Sequence, residues 1–393
     1  MRLLHTSDWH LGRTLHGFSL REAQTAAVMA IVDTAVERDV DGVVIAGDVF
    51  DRAVPPIEAL RLLNAALARL DAAGITTIIT AGNHDSGDRL ATYAGLLRQG
   101  VHIIGSPAEA GTGIALTDDF GPVVVYPLPY LEPDFARVDL ANGDDPLDRS
   151  HEAVVGAALS RIAADVARRG NPRSVVVAHA FVVEGTTTPD EVASTSERDL
   201  SVGGVQVVPA SLFEGHGVDY VALGHLHRPR QVRAAGPTLQ YSGSLLRYSL
   251  SEANDDKSVV IVDLGAPGTA PVVELVPVLQ ERGMTRLSGT IDALLSESHA
   301  EHRQDFVELV VTDSRYPERM HARLDAVFPF ALVKVHQPHD ASGATDVRRG
   351  DARGRDPLEV MTEFVRKVTG QEPTPGEQTA LQDAYDSARA GGT

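Results

Sequence analysis

Over its first 230 residues the chain keeps returning to one arrangement: a short β-branched run that leads into a motif rich in Gly, Asp, Asn or His. Such runs lie at 3–4, 43–45, 77–79, 101–104, 123–126, 175–177 and 218–223. Helical patterns separate several of them. One opens at Ser19 with Glu22 three residues on, which predicts a capping box, and its apolar stripe includes Val28, Val32 and Ala35. Another follows Pro55 and Pro56 and carries Leu60, Leu63 and Leu70. Strands alternating with helices predict an α/β sheet with helices on its outer faces. Ligands bind such sheets at the carboxyl ends of the strands, so motifs far apart in sequence can meet in one cleft.

Five motifs sit at those predicted strand ends. They are Asp8-Trp9-His10, Gly47-Asp48-Val49-Phe50-Asp51, Gly82-Asn83-His84-Asp85, Ala178-His179-Ala180 and Gly224-His225-Leu226-His227. Asp, Asn and His offer oxygen and imidazole nitrogen to divalent metals. One carboxylate can bridge two ions, and Asp48 is placed for that role. Two ions about 3.5–4 Å apart can clamp a phosphate and activate a water for in-line attack. His84, next to Asn83, is left for proton chemistry, and Asp51 is placed to hold its ring. Taken singly, D-x-H is a common tripeptide, and a lone histidine such as His179 is more often a satisfied core residue than a ligand. The force lies in five motifs, in order, whose polar residues add up to two ligand sets.

A chain of 393 residues is too long for one compact core. Residues 1–280 read as the catalytic domain, with further strands expected at 239–242, 258–264 and 272–278. Residues 281–340 read as a small α/β module, with strands at 284–290, 306–312 and 332–335 and a helix through Met320, Leu324 and Val327. Residues 341–356 are polar, Gly-containing and aperiodic, as in a linker. In 357–393, Leu358, Met361, Phe364 or Val365, and Val368 share one helical face. After Gly370, Thr374, Pro375 and Glu377 open a second helix that carries Leu381, Tyr385 and Ala388.

The motifs match the pattern of the calcineurin-like metallophosphoesterases. The segments 195–204, 224–230 and 241–258, with the opening HTSDWHLGRTLHG and the run GDVFDRAVPP, further resemble the SbcD/Mre-type nuclease family. The resemblance implies a four-layer α-β-β-α sandwich with a small capping domain. It implies one metal on Asp8, His10, Asp48 and His227, a second on Asp48, Asn83, His179 and His225, and manganese as both ions. It also implies His84 as the catalytic acid. By the same resemblance the activity is exonuclease on DNA ends and endonuclease on single strands or hairpins. The chain would dimerise through N-domain helices, and its C-terminal helices would dock on the coiled-coil base of an SbcC-type ATPase.

Composition sets bounds on these expectations. A net charge of −19 makes a poor free-standing DNA binder, because phosphate neutralisation supplies most non-specific affinity. Arg228 and Arg247, beside the last motifs, are candidate phosphate contacts, with a solvated charged edge as the plain alternative. The absence of cysteine excludes disulfides and thiolate metal sites and fits a reducing cytoplasm. No apolar run has membrane-spanning length. Trp9 is expected to pack beneath the ligands, and His5, His16, His102, His151 and His216 to be surface or structural. Two competing readings are a phosphodiesterase or phosphatase acting on nucleotides or phosphoproteins, and an inactive adaptor. The first explains the acidity better but leaves the module and tail helices without a purpose. The second leaves His84 and a full ligand set without one.

Overall fold

The computed structural model describes residues 1–97, 100–185, 207–338, 356–369 and 372–390. The segment 195–204 and all but the last residue of the expected linker lie outside the described residues. Two six-stranded sheets form the body. In the first the order is Val272–Pro277, Ser258–Asp263, Arg2–Thr6, Gly42–Ala46, Thr76–Thr80, Val101–Ile104. In the second it is Arg230–Val232, Thr238–Tyr241, Tyr220–Gly224, Arg173–His179, Gly121–Leu128, Ile114–Asp118. The middle four strands of the second sheet and the last four of the first run parallel, and antiparallel strands complete the edges.

The strands are near-continuous apolar runs because both faces are covered. Val43 and Ile45 point to the helices Arg21–Glu37 and Ile57–Ala72, where they join Val28, Val32, Ala66 and Leu70. Val44 and Ala46, one residue out of phase, meet Val123, Val175, Val177 and Tyr220 of the second sheet. That sheet's far face buries Val176 and Val221 against Val155, Leu159 and Ile162 of the helix His151–Arg168. The result is the four-layer α-β-β-α sandwich.

The capping box expected at Ser19 does not form. Leu20 occupies the N-cap without a side-chain hydrogen bond, and Ser19 Oγ accepts only from Arg21 N at 3.3 Å. Ser19 is committed to a two-residue strand paired with Thr14–Leu15, so its backbone is fixed before the helix begins. The second signature does form. Thr374 N donates to Glu377 Oε2 at 2.8 Å, and Glu377 N donates back to Thr374 Oγ1 at 3.3 Å.

After Pro277 the chain builds a three-stranded parallel sheet, Met284–Gly289, Phe306–Val311 and Ala331–His336. The helix Met320–Val327 covers it through Met320 and Leu324. Met284 belongs to the first core of the body, and Phe306 and Leu332 pack on it. Gln280 fastens the junction by donating to Leu245 O at 3.0 Å and accepting from Arg247 N at 3.3 Å. The tail forms helices Pro357–Thr369 and Pro375–Ala390, which pack on each other.

Candidate metal centre

All five motifs reach one point, where the carboxyl ends of strands from both sheets meet. Asp8 and His10 follow Arg2–Thr6, Asp48 follows Gly42–Ala46, and Asn83 follows Thr76–Thr80. From the second sheet, His179 ends its strand and His225 and His227 follow Tyr220–Gly224. Asp8, His10, Asp48, His179 and His227 are buried, while Asn83, His84 and His225 are half-buried.

The loops are built around the candidate ligands. Asp8, His10, Asp48 and His225 all hold positive φ, at 53°, 44°, 50° and 104°. Left-handed backbone is uncommon outside glycine, and each such residue costs about 1–3 kcal/mol unless its surroundings enforce it. Here backbone hydrogen bonds enforce it: Asp8 N donates to Gly47 O and His10 N to Asp48 O, at 3.1 and 3.0 Å. The carboxylates of Asp8 and Asp48 are held by amides in turn. Asp48 Oδ1 accepts from His84 N at 2.9 Å, and both oxygens of Asp8 accept from His225 N at 3.1 Å. Gly82 must be glycine, because a Cβ there would lie 2.1 Å from Asp48 Oδ1.

The polar atoms are arranged for cations. His179 Nδ1 lies 2.8 Å from Ala46 O, which can only accept, so in the neutral ring Nδ1 carries the proton and Nε2 is a bare lone pair. That lone pair faces Asn83 Oδ1 at 2.9 Å and Asp48 Oδ2 at 3.5 Å, both acceptors. His227 Nδ1 lies 3.2 Å from Glu252 Oε1, which leaves its Nε2 bare and 3.1 Å from His10 Nε2. Asp48 Oδ2 stands between the two groups, 3.6 Å from His10 Nε2 and 3.5 Å from His179 Nε2. Acceptors this crowded repel unless positive charge sits among them. The residues therefore fit a divalent-metal centre. Ligand atoms of Asp8, His10 and His227, and those of Asp8, Asp48 and His179, each lie within 4.8 Å of one another.

Burial and mutual repulsion tune the group. Burial, then the neighbouring imidazoles, drives His10 and His225 well below the usual histidine range, so both are neutral and ready to ligate. Burial pushes the Asp8 carboxyl up to about 6, with the Asp48 charge adding to it and the His179 and His227 rings opposing. A raised carboxyl favours the metal-free fold while protonated. That stability is lost as pH rises from about 4, the unfolded value, to about 6. A cation must also displace the proton below that point. Manganese should therefore raise the melting temperature more at pH 7.5 than at pH 5, with proton release on binding near pH 6. Calorimetry at both pH values checks this, and an equal shift would refute it.

His84 lies at the edge of the centre, its Nε2 3.8 Å from Asp48 Oδ2. Its ring is not held by the Asp51 carboxylate as expected. Nδ1 donates to the Asp51 backbone carbonyl at 2.8 Å, while the carboxylate pairs with Arg13 at 3.3 Å and lies 3.7 Å from His10 Nδ1. The chain turns at Asp51 so that its carbonyl, not its side chain, faces His84. Arg228 remains 65% exposed, with its Nε donating to Asp255 Oδ1 at 2.8 Å. Arg247 Nε donates to Asp255 O at 3.0 Å, so both candidate arginines are anchored at the same residue. Trp9 is buried and donates to Thr6 Oγ1 at 3.0 Å, a packing role. His5 is structural: it is fully buried between Tyr220 OH and Leu223 O.

Sequence reasoning missed three residues. Asp85 accepts from Val49 N, Phe50 N and Gly82 N at 2.9–3.0 Å and so ties the Asp48 loop to the Asn83 loop. It closes the Gly82–Asp85 motif, and a third consecutive polar residue there was the available signal. Glu252 and Lys257, beneath His227, left only the run SEANDDKS as a trace.

A four-layer sandwich with clustered Asp, Asn and His at the facing strand ends defines a metallophosphoesterase. The calcineurin-like phosphoesterase family matches residues 1–229, and the family described as Type 5 capsule protein repressor C-terminal domain matches 280–369. The chain is similar to the SbcD component of nuclease SbcCD from Rhodobacter capsulatus, 32% identical over 83% of this chain and 84% of that one. It is similar to the corresponding SbcCD component of Bacillus subtilis, 37% identical over 67% and 66% of the two chains. With that of Staphylococcus saprophyticus it shares 26% identity over 97% of each. The chain belongs to the calcineurin-like phosphoesterases and, among them, to the SbcD family of SbcCD nucleases.

Proposed function

We propose that the chain is the metal-dependent nuclease component of an SbcCD-type complex. It hydrolyses DNA phosphodiesters as an exonuclease at double-strand ends and as an endonuclease at single strands and hairpins, in the cytoplasm, where that substrate lies. The convergence of Asp8, His10, Asp48, Asn83, His179, His225 and His227 on one point, with His84 at its edge, carries the reading.

In this reading Asp8, His10, Asp48 and His227 hold one ion, and Asp48, Asn83, His179 and His225 the other. When bound, the two ions, manganese in the working enzyme, polarise the phosphoryl group and make an attacking water acidic. The remaining work falls to side chains. Asp48 lies between the two histidine groups and joins them. His84, with Nδ1 fixed on the Asp51 carbonyl, presents Nε2–H of the protonated ring to the leaving oxygen. Arg228, exposed beside the ligand loop, contacts a substrate phosphate. A protein of net charge −19 draws most of its DNA affinity from a partner's surface rather than its own.

The partner is an SbcC-type ATPase, docked on the tail. No side chain on the described parts of the two tail helices is buried: Leu358, Met361, Val365, Leu381 and Tyr385 are half-exposed, and Phe364 is 66% exposed. Helices this short are marginal alone, and an amphipathic pair with no buried side chain among the described residues suits a partner's groove. Truncation at Gly350 should leave folding, metal uptake and cleavage of bis-p-nitrophenyl phosphate intact while abolishing co-purification with the ATPase. An intact complex, or an unfolded catalytic domain, would refute this.

For the dimer we infer a two-fold contact through the helix Ile57–Ala72. Leu60 and Ile57 are exposed there, whereas Leu63 is buried in the chain's own core and takes no part. The activity is tested by incubating the purified chain, with and without its ATPase, with labelled hairpin DNA and manganese. Nicked hairpin is expected from the chain alone, and degradation of duplex ends only with the partner. If DNA stays intact in both while nucleotides or phosphopeptides are hydrolysed, the phosphatase reading takes its place.

A further inference from the structure

Beneath the metal centre lies an ion pair that the chemistry above does not use. Glu252 and Lys257 both have side chains with no exposure, and Lys257 Nζ donates to Glu252 Oε2 at 2.6 Å. Burying such a pair gives little net stability, and well-packed apolar residues of similar size often do as well. Its presence here therefore calls for a reason. The reason lies in what else each partner touches. Glu252 Oε1 is 3.2 Å from His227 Nδ1, and Oε2 also accepts from Tyr248 N at 3.2 Å. Lys257 Nζ donates to the backbone carbonyl of the same His227 at 2.8 Å and to Ser244 Oγ at 3.0 Å. Ser244 N donates to that carbonyl too, at 3.1 Å.

We propose that Glu252, clamped by Lys257, is a positioning residue for His227: it accepts a hydrogen bond from Nδ1–H and so aims the bare Nε2 at the metal, while Lys257 holds the backbone of the same residue. Two other rings of the centre are served differently. His179 donates to the Ala46 carbonyl, and His10 Nδ1 is buried with no hydrogen-bond partner among the described residues, the Asp51 carboxylate standing off at 3.7 Å. A carboxylate behind an imidazole fixes its tautomer and orientation and makes it a stronger donor to a metal, which a carbonyl does less. Lys257 keeps that carboxylate ionised in an enclosed site. The pair therefore supports only the ion that His227 binds, and the two ions of the centre become unequal. This rests on the two-metal reading of the site.

The test is manganese titration of the full chain by calorimetry, wild type against the double variant Glu252→Gln/Lys257→Met. Changing both residues removes both charges and leaves no lone buried ion. One manganese equivalent should weaken by about 10–100-fold, the usual effect of changing the carboxylate behind a metal-binding imidazole, with the other unchanged. The weakened equivalent should be the one lost in His227→Ala. Two equivalents bound as in the wild type, or both weakened alike as by general loosening, would overturn the proposal. Fewer than two equivalents in the wild type would sink the metal-centre reading itself, and the proposal with it. Should the double variant not fold, nitrogen NMR of the metal-free wild type decides. The His227 ring, identified by its absence in His227→Ala, should carry its proton on Nδ1, and a proton on Nε2 overturns the assignment.

Discussion

Asp48→Ala is expected to empty the centre of both metals and remove activity altogether. Its Oδ2 stands 3.6 Å from His10 Nε2 and 3.5 Å from His179 Nε2, and in the proposed ligand sets those rings serve different ions. Loss of a shared anionic ligand therefore weakens two sites at once, where His227→Ala or Asn83→Ala should weaken one. The same change releases His84, because Asp48 Oδ1 accepts from the His84 amide. The fold should survive, since Asp85 independently pins Val49, Phe50 and Gly82. Metal analysis after dialysis against manganese, with circular dichroism as a folding control, reads the outcome. Retention of two equivalents at near-normal affinity would exclude Asp48 as the bridge.

His84→Ala should separate metal binding from turnover. The His84 ring belongs to neither proposed ligand set, so two manganese equivalents and DNA binding should persist. Turnover should fall by about 10²–10⁴-fold, the range general acid catalysis supplies. A drop in metal stoichiometry instead would make His84 a ligand, and unchanged turnover would remove it from the mechanism. Asp51→Asn supplies the contrast. Because the ring is held by the Asp51 carbonyl, the amide variant should leave the His84 hydrogen bond in place. Any loss should come through the ion pair with Arg13 and the approach to His10.

The residues of the candidate metal centre were legible because their chemistry and their positions coincide in the sequence. A β-branched run followed by Asp-x-His, Gly-Asp or Gly-His-x-His places polar side chains at a strand end, and strand ends are where a sheet of this kind binds. Both apolar phases of Val43–Ala46 were visible, and a strand apolar in both phases must be covered on both faces. The tail helices were legible for a similar local reason, since Thr374 and Glu377 satisfy each other's backbone within one turn.

Only the tertiary structure could decide matters that depend on which way a loop turns. The local signal at Ser19 and Glu22 was as good as that at Thr374, yet pairing with Thr14–Leu15 claimed Ser19 first. Spacing put Asp51 near His84 but could not say whether carboxylate or carbonyl would face the ring. Periodicity placed Leu60 and Leu63 together, and the fold separated them, Leu63 into the core and Leu60 onto the surface. Glu252 and Lys257 show the limit most plainly. They lie 25 and 30 residues after His227, in a segment that carries the family resemblance but no role for either residue, and meet it only because the strand Ser258–Asp263 returns beside Arg2–Thr6. Sequence determined which residues can bind metal and at which strand ends they lie, because residue chemistry and strand periodicity are local. The fold alone decided which groups hold those residues in place, because a hydrogen bond across the sandwich depends on how the sheets stack.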